Sequence, residues 1–294
     1  MDNIKGIALM IAAMGGFALE DMFVKAVSAS LPTSQILILL GTGGTLIFAG
    51  WARARGAHLF APAMFTRAMW LRNAGEVAGT VCFVSAITLA PLSTASAILQ
   101  ATPLAVTLGA ALFLGAPVGW RRWTAILAGF AGVLLVVRPG LAGSDPAALL
   151  AVAAVFGLAA RDLCTRVAPP AVSSLTLSAY GFAMATLAGV VLLPFGGGPV
   201  MPDGATALAL VGALCFGVAG YYAITAAMRV GEVAVVTPFR FSRLIFALIL
   251  GMAVFGERPD APTLLGAAII IASGLYTLLR EQRLASRRKQ AVLP

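Results

Sequence analysis

Charge is scarce in this sequence. Only 11% of its 294 residues are Asp, Glu, Lys or Arg, against about 25% in an ordinary soluble domain. Hydrophobic residues make up 60% of the chain, and its mean hydropathy is +0.98. Too few charges remain to cover a soluble surface, so the chain reads as a polytopic membrane protein. Histidine is nearly absent as well: His58 stands alone, in a basic loop, and reads as solvated. The three cysteines, Cys82, Cys164 and Cys215, lie inside apolar segments at no metal-ligand spacing and read as packed thiols. No nucleophile motif and no phosphate-cradling loop after a strand is present. An enzyme, a metal site and a bound cofactor are therefore not expected. Acidic residues are the rarer sign, 11 against 20 basic ones, for a net charge of +9. That excess would suit nucleic acid, but the basic residues fall in short gaps between apolar runs, so no nucleic acid is expected. No cleavable signal pattern is seen, because the first apolar run continues to about Val27 and is long enough to span.

Long apolar runs are what the chain has. A bilayer core needs roughly 20 apolar residues in a helix, and about ten runs qualify, near 4–27, 33–52, 69–89, 93–114, 123–137, 147–166, 173–193, 205–224, 233–255 and 262–279. The gaps WARARGAH, GAPVGWRR, RPGLAGSDP and FGGGPVMPDG are short and rich in Gly, Pro and charge. None is long enough to be a second domain. With the N-terminus placed inside, 13 Lys and Arg fall on the cytoplasmic side, 3 on the other and 4 within spans, which accounts for all 20. Both termini are therefore expected in the cytoplasm. The tail RLASRRKQ reads as a topology anchor beside anionic lipid.

An internal repeat organises the runs. Gly16–Lys25 reads GFALEDMFVK and Gly157–Arg166 reads GLAARDLCTR, 141 residues later. Gly16 matches Gly157, Asp21 matches Asp162, and Lys25 matches Arg166; the same offset carries Leu114-Gly115 onto Phe255-Gly256. The chain thus divides into a first five-helix repeat at 1–138, a second at 139–281 and a basic tail at 282–294. Five is odd, so the second copy enters the membrane from the opposite face. Such an inverted repeat lets one midplane site face the two sides in turn. The expected fold is all-α, ten transmembrane helices in two inverted repeats around a central cavity.

The paired Gly-x4-Asp-x3-Lys/Arg segments, the APLSTA turn at 90–95 and the stretch PFRFSRLIFALILGMAVFGERPDAPTLLG at 238–266 resemble the drug/metabolite transporter superfamily, in its EamA-type ten-helix branch. The resemblance covers nearly the whole chain. It implies a carrier in a bacterial inner membrane, with a cavity lined mainly by helices 1, 3, 4, 6, 8 and 9. It also implies movement of small metabolites, often outward, and the bacterial amino-acid exporters, including those for aromatic amino acids, look most similar. The alternative within the superfamily is exchange of nucleotide-like, cationic or drug-like metabolites. One departure stands out. Where the family often has Gly-Glu after the fourth helix of each half, this chain has Gly256-Glu257 in the second half but Gly115-Ala116 in the first.

Polar groups inside spans are functional candidates because each is costly in lipid unless paired or hydrated. Glu20 and Asp21 lie late in the first helix. Asp21 precedes Lys25 by four, so it either pairs with it across the interface or gates the outer mouth. Glu20 or Asp21 is also the candidate to carry a coupling proton. Their repeat-mates Arg161 and Asp162 are the matching inner-gate candidates. Arg72 and Glu76 share one face of the third helix and either pair with each other or face the cavity; Thr80 extends that face.

The stretch VTPFRFSR holds Arg240 and Arg243 inside the ninth run, after Pro238. These arginines either snorkel to the interface, pair with Asp162 or Glu76, or meet an anionic group in a hydrated cavity. In the first repeat SAILQATPL holds the equivalent place, with Gln100, Thr102 and Pro103 as a neutral version; Pro238 is expected to kink its helix, and Pro103 and Pro238 are candidates for gating. An amide on one side and a guanidinium on the other suit a zwitterionic substrate. Phe17, Phe83, Tyr221, Tyr222, Phe239 and Phe241 are candidates for apolar walls. Helices 5 and 10 carry almost no interior polarity and are expected to be scaffold or to face a second copy in a homodimer.

Overall fold

The computed structural model describes residues 2–116, 118–138, 145–166 and 172–292. The expected repeat boundary at 138/139 adjoins 139–144, outside the described residues. Among these residues twelve α-helices follow in order: α1 Asn3–Val27, α2 Thr33–Ala54, α3 Arg67–Leu89, α4 Leu92–Leu99, α5 Thr102–Phe113, α6 Trp120–Val137, α7 Ala148–Arg166, α8 Ser174–Leu192, α9 Gly204–Val230, α10 Val233–Val236, α11 Ser242–Phe255 and α12 Ala261–Val292. They form ten crossings. The fourth is α4 and α5 end to end, and the ninth is α10 and α11 joined by a 3-10 segment, Thr237–Phe241. Among the described residues nine crossings are apolar enough to span by hydropathy alone. The remaining one, α3, has Arg67, Arg72, Asn73 and Glu76 in its first half. Large side chains such as Leu46, Leu127, Leu208 and Ile245 are exposed on the outer surface, where hydrocarbon replaces water as their partner.

Helix ends follow local chemistry. Side chains of Asp2, Ser173 and Asp203 accept from backbone N–H groups of the first turns of α1, α8 and α9. Gly256 ends α11 at φ 63°, a conformation that favours glycine. The basic segment expected as a tail from 282 continues α12 as helix to Val292.

The packing repeats with the same 141-residue offset as the sequence. α1 packs most extensively on α9, and its repeat-mate α7 on α3; α2 packs on α8, and α6 on α12. Each pairing maps onto itself or another when the halves are exchanged. The glycines make this concrete. Gly16 of α1 lies against Gly220 of α9, while Gly157 of α7 lies against Gly79 of α3. Here 16 + 141 is 157 and 79 + 141 is 220. A duplicated small-on-small contact thus sets the close approach of two helix pairs.

The broken fourth and ninth crossings place their prolines at new helical starts instead of kinks in continuous helices. Pro103 lies in the first turn of α5, and Pro238 in that of the 3-10 segment, where a missing N–H leaves no intrahelical bond unmade. We call the face at which α1 begins the terminal face, and the face at which it ends the distal face.

Candidate substrate cavity

A cavity of about 420 Å³ lies between the halves, lined from α1, α2, α3, α7, α8, α9, Arg240 of the 3-10 segment and Arg243 of α11. The resemblance leads one to expect the fourth helix in this lining and not the second and seventh. The structure differs because α4 is buried along nearly its whole length, packed against α7 and α11. α2 and α8 supply Leu37, Gly41, Phe182 and Ala185 to the wall instead.

Among the described residues eight charged side chains line the cavity, four of each sign: Glu20, Asp21, Glu76 and Asp162 against Arg72, Arg161, Arg240 and Arg243. Six of them form two neutral networks. In the first, Arg72 Nη2 donates to Glu76 Oε2 at 3.1 Å and Arg161 Nη1 donates to Glu76 Oε1 at 3.1 Å. Arg161 also holds Asp162, 2.7 Å from Nη2 to Oδ1. Arg72 further donates to Asn73 and to the Leu177 carbonyl. In the second, Arg243 donates to Asp21 Oδ2 from Nη2 at 2.6 Å and from Nε at 3.2 Å. The Arg243 guanidinium also lies 5.3 Å from the Phe17 ring centre and 5.5 Å from that of Phe83.

The Asp21–Lys25 pairing expected from helical spacing is not made. Asp21 turns inward to Arg243, while Lys25 donates to the carbonyls of Ile87 and Ala90 and lies 3.7 Å from Glu257. A lone helix cannot reveal that preference, because both partners come from other crossings. Arg240 does not pair with Asp162 or Glu76, since Arg161 already holds both.

That leaves two charges. Neither Glu20 nor Arg240 has an ion pair or side-chain hydrogen bond among the described residues, and both line the cavity. Arg240 is exposed into it. The repeat explains Glu20. Its mate Arg161 meets Glu76, but the mate of Glu76 is Gly217 (76 + 141), and Glu20 lies against that glycine. One half has a carboxylate facing a guanidinium; the other has a carboxylate facing empty space.

The apolar wall is built around Tyr221, whose ring lies 5.8 Å from Phe17 and 5.5 Å from Phe182, with Phe48 at 5.9 Å behind it. Phe83 and Thr80 line the cavity as expected. Four residues expected as walls or contacts do not: Gln100, Tyr222, Phe239 and Phe241, the last with its ring against Gly274 of α12. Gln100 is buried at the end of α4, its Nε2 without a partner among the described residues. Tyr222 faces outward and stacks on Trp51 at 5.2 Å. Phe239 packs with Met10 and Val236 against α1. Pro103 and Pro238 shape the breaks without lining the space. Residues unseen in the sequence reading are Phe182, Ser178 and Thr225. Nothing in an apolar run marks which one Phe or Ser turns inward.

Residues 4–138 and again 145–279 match the EamA-like transporter family. The chain belongs to the EamA-like transporter family. It is therefore a multi-pass membrane transporter of small molecules. Over 212 residues it is 33% identical to the riboflavin transporter of Rhizobium johnstonii, covering 70% of this chain and 68% of that one. It is 26% identical to the S-adenosylmethionine uptake transporter of Rickettsia felis, covering 72% of each. It is 27% identical to the pseudopaline exporter of Pseudomonas aeruginosa, over 93% of this chain and 96% of that one. Amino-acid exporters are not among these relatives; one is named for uptake and another for export. The family resemblance thus holds at the level of the superfamily branch.

Proposed function

We propose that the transporter carries a small zwitterionic metabolite with a planar aromatic part, aromatic amino acids foremost, outward across a bacterial inner membrane by alternating access. The observation that supports this is the pair of unengaged charges in one cavity. Arg240 offers a guanidinium to a carboxylate, and Glu20 offers a carboxylate to an ammonium group or a coupling proton. The rings of Phe17, Phe83, Phe182 and Tyr221 give an aromatic moiety a face to lie on. The other six charges already satisfy one another and leave no net charge to bias the site. The excess of Lys and Arg in the loops on one side favours both termini in the cytoplasm, and on this reading the terminal face is the cytoplasmic one. The cavity lies within one chain, so this reading needs no second copy on α6 and α12.

A second reading is favoured by size. About 420 Å³ exceeds what an amino acid fills and suits a larger heteroaromatic compound such as riboflavin, which the Rhizobium johnstonii relative is named for. Uptake into proteoliposomes by counterflow separates the two, with labelled phenylalanine, tryptophan, riboflavin and S-adenosylmethionine as substrates. Saturable flux of an aromatic amino acid, reduced at least tenfold in Arg240→Ala and in Glu20→Gln, is the expected result. Flux of riboflavin alone, indifferent to both substitutions, would falsify the zwitterion reading.

A further inference from the structure

We propose that Lys25 and Glu257 form the bolt of the distal gate, and that Ala116 leaves the terminal gate without one, so the sequence itself biases which face the carrier closes. The proposal concerns the gates alone and stands whatever the substrate.

The bolt joins four crossings at the distal face. Glu257 follows the left-handed Gly256 at the end of α11, and its N–H donates to the Gly251 carbonyl at 3.0 Å. This six-residue closure turns the chain back on itself. The carboxylate then reaches α4 in the other repeat. Oε1 accepts from Leu92 N at 2.6 Å, and Oε2 accepts from Ser93 N at 2.9 Å and from Ser93 Oγ at 2.6 Å. A negative charge thus satisfies the first free N–H groups of a helix, where the helix dipole also favours it. Lys25 of α1 stands 3.7 Å from Oε1 and donates to the Ile87 and Ala90 carbonyls at the end of α3. Beneath the bolt the cavity ends at Val24 and Ile87, and Val27, Leu31 and Leu92 are fully packed there. Opening the distal face requires α1 and α11 to part from α3 and α4, which breaks this whole set.

The terminal face carries the same backbone device without its charge. Gly115 is left-handed at φ 61°, and the Ala116 N–H donates to the Ala110 carbonyl at 3.1 Å. Each residue is the 141-offset mate of Gly256, Glu257 and Gly251. The carboxylate position is a methyl group. The mate of Gly251 has also gained a side chain: a Cβ at Gly251 would meet Glu257 Oε2 at 2.5 Å, so the space that accepts the carboxylate exists in one copy only. Just before α10, Glu232 N donates to Asn3 Oδ1 at 2.8 Å, which ties this helix start to the beginning of α1. One gate is held by a charged, multiply hydrogen-bonded carboxylate; among the described residues the other has the Ala116 methyl group in its place.

The test reads gate populations directly and needs no substrate. In a background with the native cysteines replaced, Leu31→Cys reports opening at the distal face, and Thr225→Cys reports access at the terminal mouth. Labelling rates with a polar maleimide are measured on the purified full-length protein. Glu257→Gln is expected to label Leu31→Cys about tenfold faster and Thr225→Cys more slowly, the size of effect that loss of a charge-assisted network has on a two-state equilibrium. Unchanged rates at both sites overturn the bolt. The paired variant Ala110→Gly with Ala116→Glu keeps every Glu257 contact and installs the missing device, so it remains informative even where Glu257→Gln fails to fold. It is expected to slow Thr225→Cys labelling severalfold. Labelling identical to the parent overturns the role assigned to Ala116.

Discussion

Arg243 is locked to Asp21, eight crossings away along the chain but on the adjoining α1, by donors at 2.6 and 3.2 Å to a single carboxylate oxygen. With two aromatic rings against its guanidinium, it holds α1 to α11 and is not free to take a substrate carboxylate. Three residues earlier, Arg240 has no such partner among the described residues. The two arginines of VTPFRFSR therefore divide structure from binding. Removing one member of a buried ion pair costs about 3–5 kcal/mol, because the other charge stays behind. Arg243→Ala should accordingly lower the thermal midpoint of the purified protein by several degrees. Arg240→Ala should leave it within a degree or two while reducing flux. Equal losses of stability in the two variants would contradict this division.

The Arg161–Glu76 contact, at 3.1 Å, links α7 to α3 at the crossing where Gly157 meets Gly79. Glu76→Gln removes the charge that serves both Arg72 and Arg161. Its effect should be non-additive with Arg161→Gln, because the second substitution relieves a cation already stranded by the first. A double-mutant cycle on thermal midpoints checks this, and a coupling energy near zero would count against the shared network.

Much of the plan is legible in the sequence alone. Ten runs, the 141-residue offset and the inverted arrangement follow from length, periodicity and an odd helix count. The Arg72–Glu76 pairing is legible because both residues lie on one helix, four apart. What escaped were choices between crossings. Asp21 has a well-spaced Lys25 on its own helix, yet it pairs with Arg243, and Lys25 goes to Glu257. Gln100 sits at the repeat position opposite the arginines, yet the burial of α4 turns it from the cavity. Sequence spacing fixes neighbours along a helix and is silent on rotation about its axis. The Glu257 bolt was half-visible, as a motif broken in one repeat. Its meaning needed the partner helix whose N–H groups it fills.

Gln100 offers a direct check on that rotation. Its Nε2 is buried without a partner among the described residues, and an unsatisfied buried polar group is unfavourable by about 1–3 kcal/mol. Gln100→Leu keeps the volume and removes the polar atom. The substitution should hold or raise the thermal midpoint and leave the order of competing substrates unchanged. A reordered competition profile would return Gln100 to the cavity.

Acid should weaken the exposed cap of α9. Hydrogen bonds from the Thr206 side chain and backbone N–H hold the Asp203 carboxyl below the ordinary carboxylate value. A carboxylate with a lowered value stabilises the fold above the ordinary range, near pH 4, and loses that contribution as pH falls through its own lower value. The midpoint deficit of Asp203→Ala relative to the parent should thus be present at pH 7 and shrink toward pH 3. Asp203→Asn, which caps without titrating, should show a difference from Asp203→Ala that does not vary with pH. A deficit that grows on acidification has the wrong sign for this cap.

The duplicated glycine contacts give a graded prediction, because the two copies are not equally tight. A Cβ on Gly157 would meet the backbone N and Cα of Gly79 at 2.7 and 2.9 Å, distances that force α7 and α3 apart. A Cβ on Gly16 would meet the Phe216 carbonyl oxygen at 3.1 Å and Gly220 Cα at 3.4 Å, which needs only a small shift. Overpacking of the first kind costs about 1–3 kcal/mol. At Gly50, by contrast, nothing lies within 4 Å, and alanine in an open helical position is favoured over glycine by about 1 kcal/mol. Gly157→Ala should therefore lower the thermal midpoint most, Gly16→Ala less, and Gly50→Ala should leave it unchanged or raise it. The order matters more than the sizes. If Gly16→Ala proves the more damaging of the two, the close approach of α3 and α7 is not what holds the Arg161–Glu76 network in register.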